Sequence, residues 1–247
     1  MNETTIKRLN AINREFYRIT AKDFDETRAT GWDGWEQLLP YIAKHGHSNA
    51  LKLSVLDVGC GNGRFGDFLA HRLTDKPDTV IHYHGVDNSP SLLEIARTRL
   101  SNHLKFTFTL EERDIVENPP DSSEYDLVVA FGVLHHIPGY VQRQAFVRAL
   151  ADRVEANGLL VFTCWRFYEY ERYRKRIVEW PEDLRGQVER HDYLLDWRRG
   201  ENALRYCHYV DDVEHAALVS ASGLSEIASY RADGIGDANR YSVLRKL

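Results

Sequence analysis

Residues 55–66 read VLDVGCGNGRFG: an apolar run carrying an acid, Asp57, leads into four glycines. A tight turn needs one glycine, not four. Glycines at 59, 61 and 63 instead remove the Cβ atoms that would hold the backbone away from a ligand. Cys60 lies inside the same turn, where it contributes main chain to the site and a thiol that reads as a small packing group. Two further acids stand at the ends of strand-like runs. Asp87, followed by Asn88, closes VIHYHGVD and suits a pair of ribose hydroxyls. Asp114, followed by Ile115, lies in ERDI just past KFTFTL and suits an exocyclic amine. Further on, DLVVAFGVLHHI carries His135 and His136 to the point where another strand opens; one is expected to touch a ligand and the other to pack on the following helix.

These residues need a scaffold that brings strand ends together. Strand-like runs at 53–58, 80–87, 105–110, 125–131 and 159–165 alternate with helical patterns at 64–73, 91–100 and 141–154. That alternation predicts an α/β fold, a doubly wound and mostly parallel sheet. Ser89-Pro90 offers a cap and a first-turn proline for the helix over 91–100. A helix over 211–222 ends at Gly223. The runs 224–232 and 239–247 are joined by Asp233-Gly234-Ile235-Gly236-Asp237, too short for a parallel crossover, so the sheet is expected to end in a reversed strand. Ligands bind such sheets at the carboxyl ends of the strands. Helices at 4–20 and 34–45 put a cover, residues 1–48, ahead of the sheet. Residues 166–208 break the rhythm and read as a helical insertion over the ligand edge, within one domain spanning 1–247.

Gly61 to Gly66 also fits G-x-G-x-x-G, a dinucleotide fingerprint, with Asp87 at a tolerable distance. Asp57 argues against it. A carboxylate there repels a pyrophosphate and attracts a cationic amino acid bearing a sulfonium. No tyrosine is followed four places later by lysine, and no other dehydrogenase pair stands out. With LDVGCGNG, GVDNS, ERDI and DLVVAFGVLHHI on one chain, residues 50–165 resemble the class I S-adenosylmethionine-dependent methyltransferases. The resemblance implies Asp57, Gly59, Cys60, Gly61 and Gly63 around the methionine part of the cofactor, and Asp87 with Asn88 at the ribose. It further implies Asp114 and Ile115 at the adenine, with Phe131, Gly132 and His135 lining the pocket. No metal is expected.

Outside that core, Thr27, Arg28 and Trp32, then His135 and His136, then Arg205, Tyr206 and His208 resemble a motif set of the tRNA wobble-uridine carboxymethyl methyltransferases. The resemblance implies a methyl ester as product, tRNA as partner and, in some members, a small zinc-containing partner protein. A carboxylate acceptor, ionised above pH ~4, needs no base; it needs cations to hold it, and arginine has the right fork. Arg28 and Arg205 are the expected clamp, with Tyr206 and His208 donating to it. Two other readings use the same residues: a metabolite methyltransferase with 166–208 as lid, and a non-catalytic S-adenosylmethionine-binding protein.

A net charge of −5 excludes a strongly basic nucleic-acid module but not a local basic groove. Residues 166–206 hold ten Lys/Arg against nine Asp/Glu. Within them Arg172, Arg174, Lys175 and Arg176, interleaved with Tyr170 and Tyr173, are either a local patch or one face of an amphipathic lid. Three scattered cysteines form no C-x-x-C pair, which disfavours disulfides and zinc and points to a reducing compartment. With no apolar run near ~20 residues and no signal-like core, a cytoplasmic protein with no membrane contact is expected.

Overall fold

The computed structural model describes residues 1–27, 30–43, 51–74, 79–115, 118, 121, 123–199 and 201–247; Arg28 lies outside them. In chain order come α1 (Glu3–Glu26), α2 (Asp33–Ala43), β1 (Lys52–Val58), α3 (Arg64–Leu73), β2 (Val80–Asp87), α4 (Pro90–Leu100), β3 (Phe106–Glu112), β4 (Tyr125–Ala130), α5 (Tyr140–Ala151) and β5 (Val154–Trp165). The short helix α6 (Glu171–Arg174) and strands β6 (Ile177–Val178), β7 (Asp192–Arg199) and β8 (Glu201–His208) follow. The chain then completes α7 (Asp212–Ser222), β9 (Ser225–Ala232) and β10 (Asn239–Arg245).

The main sheet has the order β3-β2-β1-β4-β5-β10-β9. The first five strands are parallel, and β10 runs antiparallel to both β5 and β9. This is the doubly wound sheet with a reversed C-terminal strand that the alternation predicts. Its two faces bury separate apolar layers. Leu53, Val55, Tyr83 and Tyr241 meet α2 and α3 on one side; Leu56, Val128, Phe162 and Leu244 meet α5 and α7 on the other. Local chemistry sets the ends of the helices. The Ser89 side chain accepts from the Leu92 amide ahead of Pro90, and Asp211 accepts from the Glu214 amide at 2.8 Å.

The insertion departs from its expectation. Residues 166–208 hold a second, three-stranded antiparallel sheet, β6-β7-β8, rather than a helical lid; their helical content is a 3₁₀ turn at 167–169 and the single turn α6. Period-two hydropathy fails here because the buried positions are not all apolar. Asp192 on β7 and Arg205 and His208 on β8 are buried beside Leu194, Leu195 and Tyr206. The N-terminal helix is also longer than the pattern over 4–20, running to Glu26. Its buried face carries Leu9 and Phe16 together with Asn10 and Asn13, so polar groups share that face with apolar ones. Among the described residues no helix is long and apolar enough to cross a membrane.

Candidate active site

A cleft opens where β1, β2 and β4 end, and two adjoining pockets share Tyr17, Phe24, Gly59, Gly61, Phe131 and Gly132. The turn after β1 makes this approach possible. Gly59 has φ +77°, and a Cβ there would lie 2.4 Å from Val133 Cγ2. Gly61 has φ +53° with nothing within 4 Å of its would-be Cβ, which therefore faces open space. Asp87 holds this loop: its carboxylate accepts from the Gly61 amide at 2.8 Å and from the Ser89 amide at 2.9 Å. Gly63 lines neither pocket. It precedes α3 at φ +74° and abuts Ala96, so it shapes the turn rather than the contact surface.

One pocket is lined by Asp87, Asn88, Asp114 and Ile115 beside Asn10, Asn13 and Leu92. The other is lined by Asp57, Cys60, Asn62, Arg64, Trp32, Trp35, His135, Trp165, Tyr173 and Arg205. The second carries both signs, as a zwitterionic amino acid requires. Asp57 is buried and accepts from the Tyr83 hydroxyl at 2.6 Å. Arg64 donates to the Thr30 carbonyl at 2.9 Å, lies over the Trp32 and Trp35 rings, and has no paired carboxylate among the described residues. The cleft thus fits S-adenosylmethionine: Asp57 and Arg64 would hold the amino and carboxylate groups, Asp87 and Asn88 the ribose, Asp114 and Ile115 the base.

Burial pushes the Asp57 carboxyl up to about 7, with Asp87 adding to the shift and the Tyr83 and Arg64 interactions opposing it. The folded value lies above the unfolded ~3.9. The stability lent by the protonated form is therefore complete below ~3.9 and lost as pH rises through about 7. A cationic ligand recruits the ionised form instead, so its binding releases a proton. S-adenosylmethionine affinity is expected to rise by up to about tenfold per pH unit between pH ~5 and ~7 and then level off. Titration calorimetry in two buffers of different ionisation enthalpy checks this. A dissociation constant that stays flat from pH 5.5 to 8 would remove Asp57 from the ligand.

Helix α1 closes the cleft, and its part was not legible in its hydropathy. Arg14 pairs with Asp114 at 2.8 Å. Asp25 accepts from Asn62 and Arg99 at 2.6 and 2.9 Å, tying the helix to the glycine turn. Tyr17 reaches His136 Nε2 at 2.9 Å, while His136 Nδ1 faces the Tyr206 carbonyl at 3.1 Å. The Asn13 amide nitrogen also lies 3.2 Å from Nδ1, so the ring bridges two side chains of α1 and the main chain of β8. The two histidines therefore divide: His135 lines the pocket with Arg205, and His136 ties α1 to β8 while lining the neighbouring pocket. The signal for α1 was there in retrospect, as Asn10, Asn13 and Tyr17 recur at helical spacing beside the apolar stripe.

The late-chain motif separates as well. Arg205 is 8 % exposed, its guanidinium 5.2 Å from the Phe16 ring centroid and 4.9 Å from that of Trp165. No carboxylate among the described residues pairs with it. The neighbouring Cys207 thiol, pushed up to about 11 by burial despite Arg205, stays neutral. Tyr206 and His208 do not line the cleft. The Tyr206 hydroxyl donates to Asp192 at 2.8 Å, and the His208 nitrogens meet Asp192 and Glu214 at 2.7 Å each. Their polar atoms are already used, so the acceptor contacts expected of them are not available.

Residues 56–160 match the family described as Methyltransferase domain. This part of the chain is thus similar to methyltransferase domains. The fold is similar to that of magnesium protoporphyrin IX methyltransferase from Synechocystis, at TM-score 0.65 and 15 % identity over 97 % of this chain and 100 % of that one. Among curated relatives, the domain is 24 % identical over 165 residues to a tRNA (carboxymethyluridine(34)-5-O)-methyltransferase of Saccharomyces cerevisiae, covering 67 % of this chain and 51 % of the relative. It is 30 % identical over 128 residues to a ubiquinone biosynthesis O-methyltransferase of Neisseria meningitidis, covering 51 % and 48 %. The chain thus spans about half the length of these curated relatives.

Proposed function

We propose that this chain transfers a methyl group from S-adenosylmethionine to a carboxylate, forming a methyl ester, and that the carboxylate is the carboxymethyl group of a modified wobble uridine in tRNA. Arg205 is the observation that carries the reading. Burying a guanidinium without a counter-charge is costly. Two aromatic faces offset part of that cost, and an anionic acceptor supplies the rest when it binds. Bound in the cleft, S-adenosylmethionine supplies an electrophilic methyl on a sulfonium.

The protein's part is to hold, align and dry the acceptor. Arg205 fixes the carboxylate with one oxygen towards the cofactor side of the pocket. Trp165, Tyr173 and the α1 residues exclude water. No base is needed, since the acceptor is ionised at neutral pH. The name of the yeast relative supports the tRNA substrate. Names such as that of the Neisseria relative support a second reading, a metabolite acceptor in the same aromatic pocket.

Methyl-labelled S-adenosylmethionine separates the two. The protein is incubated with tRNA bearing unesterified carboxymethyl-uridine and, in parallel, with a small-molecule extract. Label on the tRNA that mild base releases is the expected result. Label in the extract alone would move the activity to a metabolite. Turnover by the isolated chain would show that the small zinc-containing partner implied by the resemblance is not required.

A further inference from the structure

We propose that the open groove leading from Arg205 past Tyr173 to Arg172 and Arg176 binds backbone phosphates of a single-stranded RNA acceptor. The groove is continuous with the acceptor pocket, since both are lined by Trp165, Tyr173 and Arg205. Away from that shared part it is lined by Arg172 and Arg176, by Gly234 and Ile235, and by Leu195, Asp196 and Trp197 of β7. The inference rests on the acceptor reading above for its location.

Among the described residues three cations line this groove, and no carboxylate is paired with any of them. Among the described residues Asp196 is the acid that lines it. Elsewhere the chain spends many of its arginines on carboxylates: Arg72 on Glu36, Arg143 on Glu189 and Glu214, Arg166 on Glu169 and Asp212. In a chain of net charge −5, arginines left unpaired beside an active cleft are a local device rather than a consequence of composition.

Their geometry suits phosphate. Arg172 is held in place, its guanidinium 4.8 Å from the Tyr173 centroid and 5.2 Å from that of Tyr170, with one Nη donating to the Ile235 carbonyl at 2.7 Å. A guanidinium has five donors, so one backbone acceptor leaves most of the fork for an oxyanion. Arg176 is half-buried, and its carbonyl accepts from the Asp196 amide at 2.8 Å, which anchors the backbone at the groove wall. Cations strung along an open channel, with Trp165 and Tyr173 among its lining residues, match the pattern by which proteins follow the backbone of a single strand. A lone carboxylate acceptor would leave Arg172 and Arg176 without work.

The test is the double variant Arg172→Gln/Arg176→Gln, with Arg174→Gln as control. Arg174 lies on α6 with Arg172 but donates to the Tyr168 carbonyl and does not line the groove. Methyl transfer is measured on carboxymethyl-uridine tRNA and on the free carboxymethyl-uridine nucleoside, and oligouridylate binding is measured by tryptophan fluorescence over a salt series. In the double variant KM for tRNA should rise at least tenfold with kcat little changed, and the preference for tRNA over nucleoside should collapse. The slope of log affinity against log salt should become shallower by about 1.4, from two contacts at ~0.7 each. Arg174→Gln should match wild type.

An unchanged tRNA KM and an unchanged salt slope would overturn the groove while leaving the carboxylate reading intact. If neither acceptor is labelled but oligouridylate binding still falls tenfold in the double variant, the carboxylate reading fails and the groove stands. Melting temperatures within a few degrees of wild type exclude misfolding; if they fall, Arg172→Lys/Arg176→Lys, which keeps the charge but not the fork, should show a smaller rise in KM.

Discussion

Replacing Arg205 with methionine is expected to lower kcat/KM for the carboxylate acceptor by roughly 100- to 1,000-fold, the usual effect of removing one well-placed donor from a developing or bound anion in a dry site. Stability should not fall with it. The wild-type guanidinium is buried between Phe16 and Trp165 with no carboxylate paired to it among the described residues. Exchanging an uncompensated buried charge for an apolar side chain of similar volume is neutral or stabilising. The melting temperature of the unliganded protein should therefore hold or rise while activity collapses. Arg205→Lys should recover little, because an ammonium lacks the bidentate fork and stacks poorly. S-adenosylmethionine affinity should stay near wild type, since Arg64 and Asp57, the groups proposed to hold it, are unchanged. Steady-state kinetics beside calorimetry check the set. A methionine variant that keeps activity within threefold, or that unfolds, would make Arg205 a structural residue.

The second large effect lies away from the cleft. Arg143 is 1 % exposed and donates to Glu214 at 2.6 Å, to Glu189 at 2.7 Å and to the Ile137 carbonyl at 3.0 Å. Glu214 also meets His208, which meets Asp192, which accepts from Tyr206. One buried chain of charges thus joins α5 and α7 of the main body to β7 and β8 of the insertion. Arg143→Ala removes one member and strands the rest, at a cost of about 3–5 kcal/mol. At roughly 2–4 °C per kcal/mol for a chain of this size, the melting midpoint should drop by about 6–20 °C. Adding Glu214→Ala should cost much less than its own single effect, the coupling expected of direct partners. Additive losses would deny the network.

The same network carries a pH signature. Burial disfavours a charged His208, but its bonds to Asp192 and Glu214 outweigh this and raise its pKa. Its contribution is therefore full below the unfolded value near 6.5 and is lost as pH climbs through the folded one. Burial alone would raise Glu214, but the bond from His208 and the charge of Arg143 prevail and lower it, so its contribution is present above its unfolded value and lost in acid. The insertion should be most firmly held between those limits.

Much of this molecule was readable before any coordinates. The strand–helix rhythm of residues 50–165, the reversed C-terminal strand and the glycine turn with Asp57 and Asp87 follow from local patterning. Hydropathy period, caps and backbone sterics act over a few residues, and those residues sit side by side in the chain. What escaped depends on distant partners. The strands of 166–208 were hidden because Asp192, Arg205 and His208 occupy buried positions that only their neighbours in space make tolerable. Arg205, Tyr206 and His208 look alike as candidates in LRYCHYV, yet β8 turns Arg205 towards the cleft while the side chains of Tyr206 and His208 end in the Asp192–Glu214 network. Helix α1 reads as an amphipathic strap, and only its seat against β8 and the glycine turn brings Asn13, Tyr17 and Asp25 to the site. Sequence determined the cradle because its geometry is a property of adjacent backbone. Tertiary structure decided which cation stays unpaired, because pairing is a property of what folds beside it.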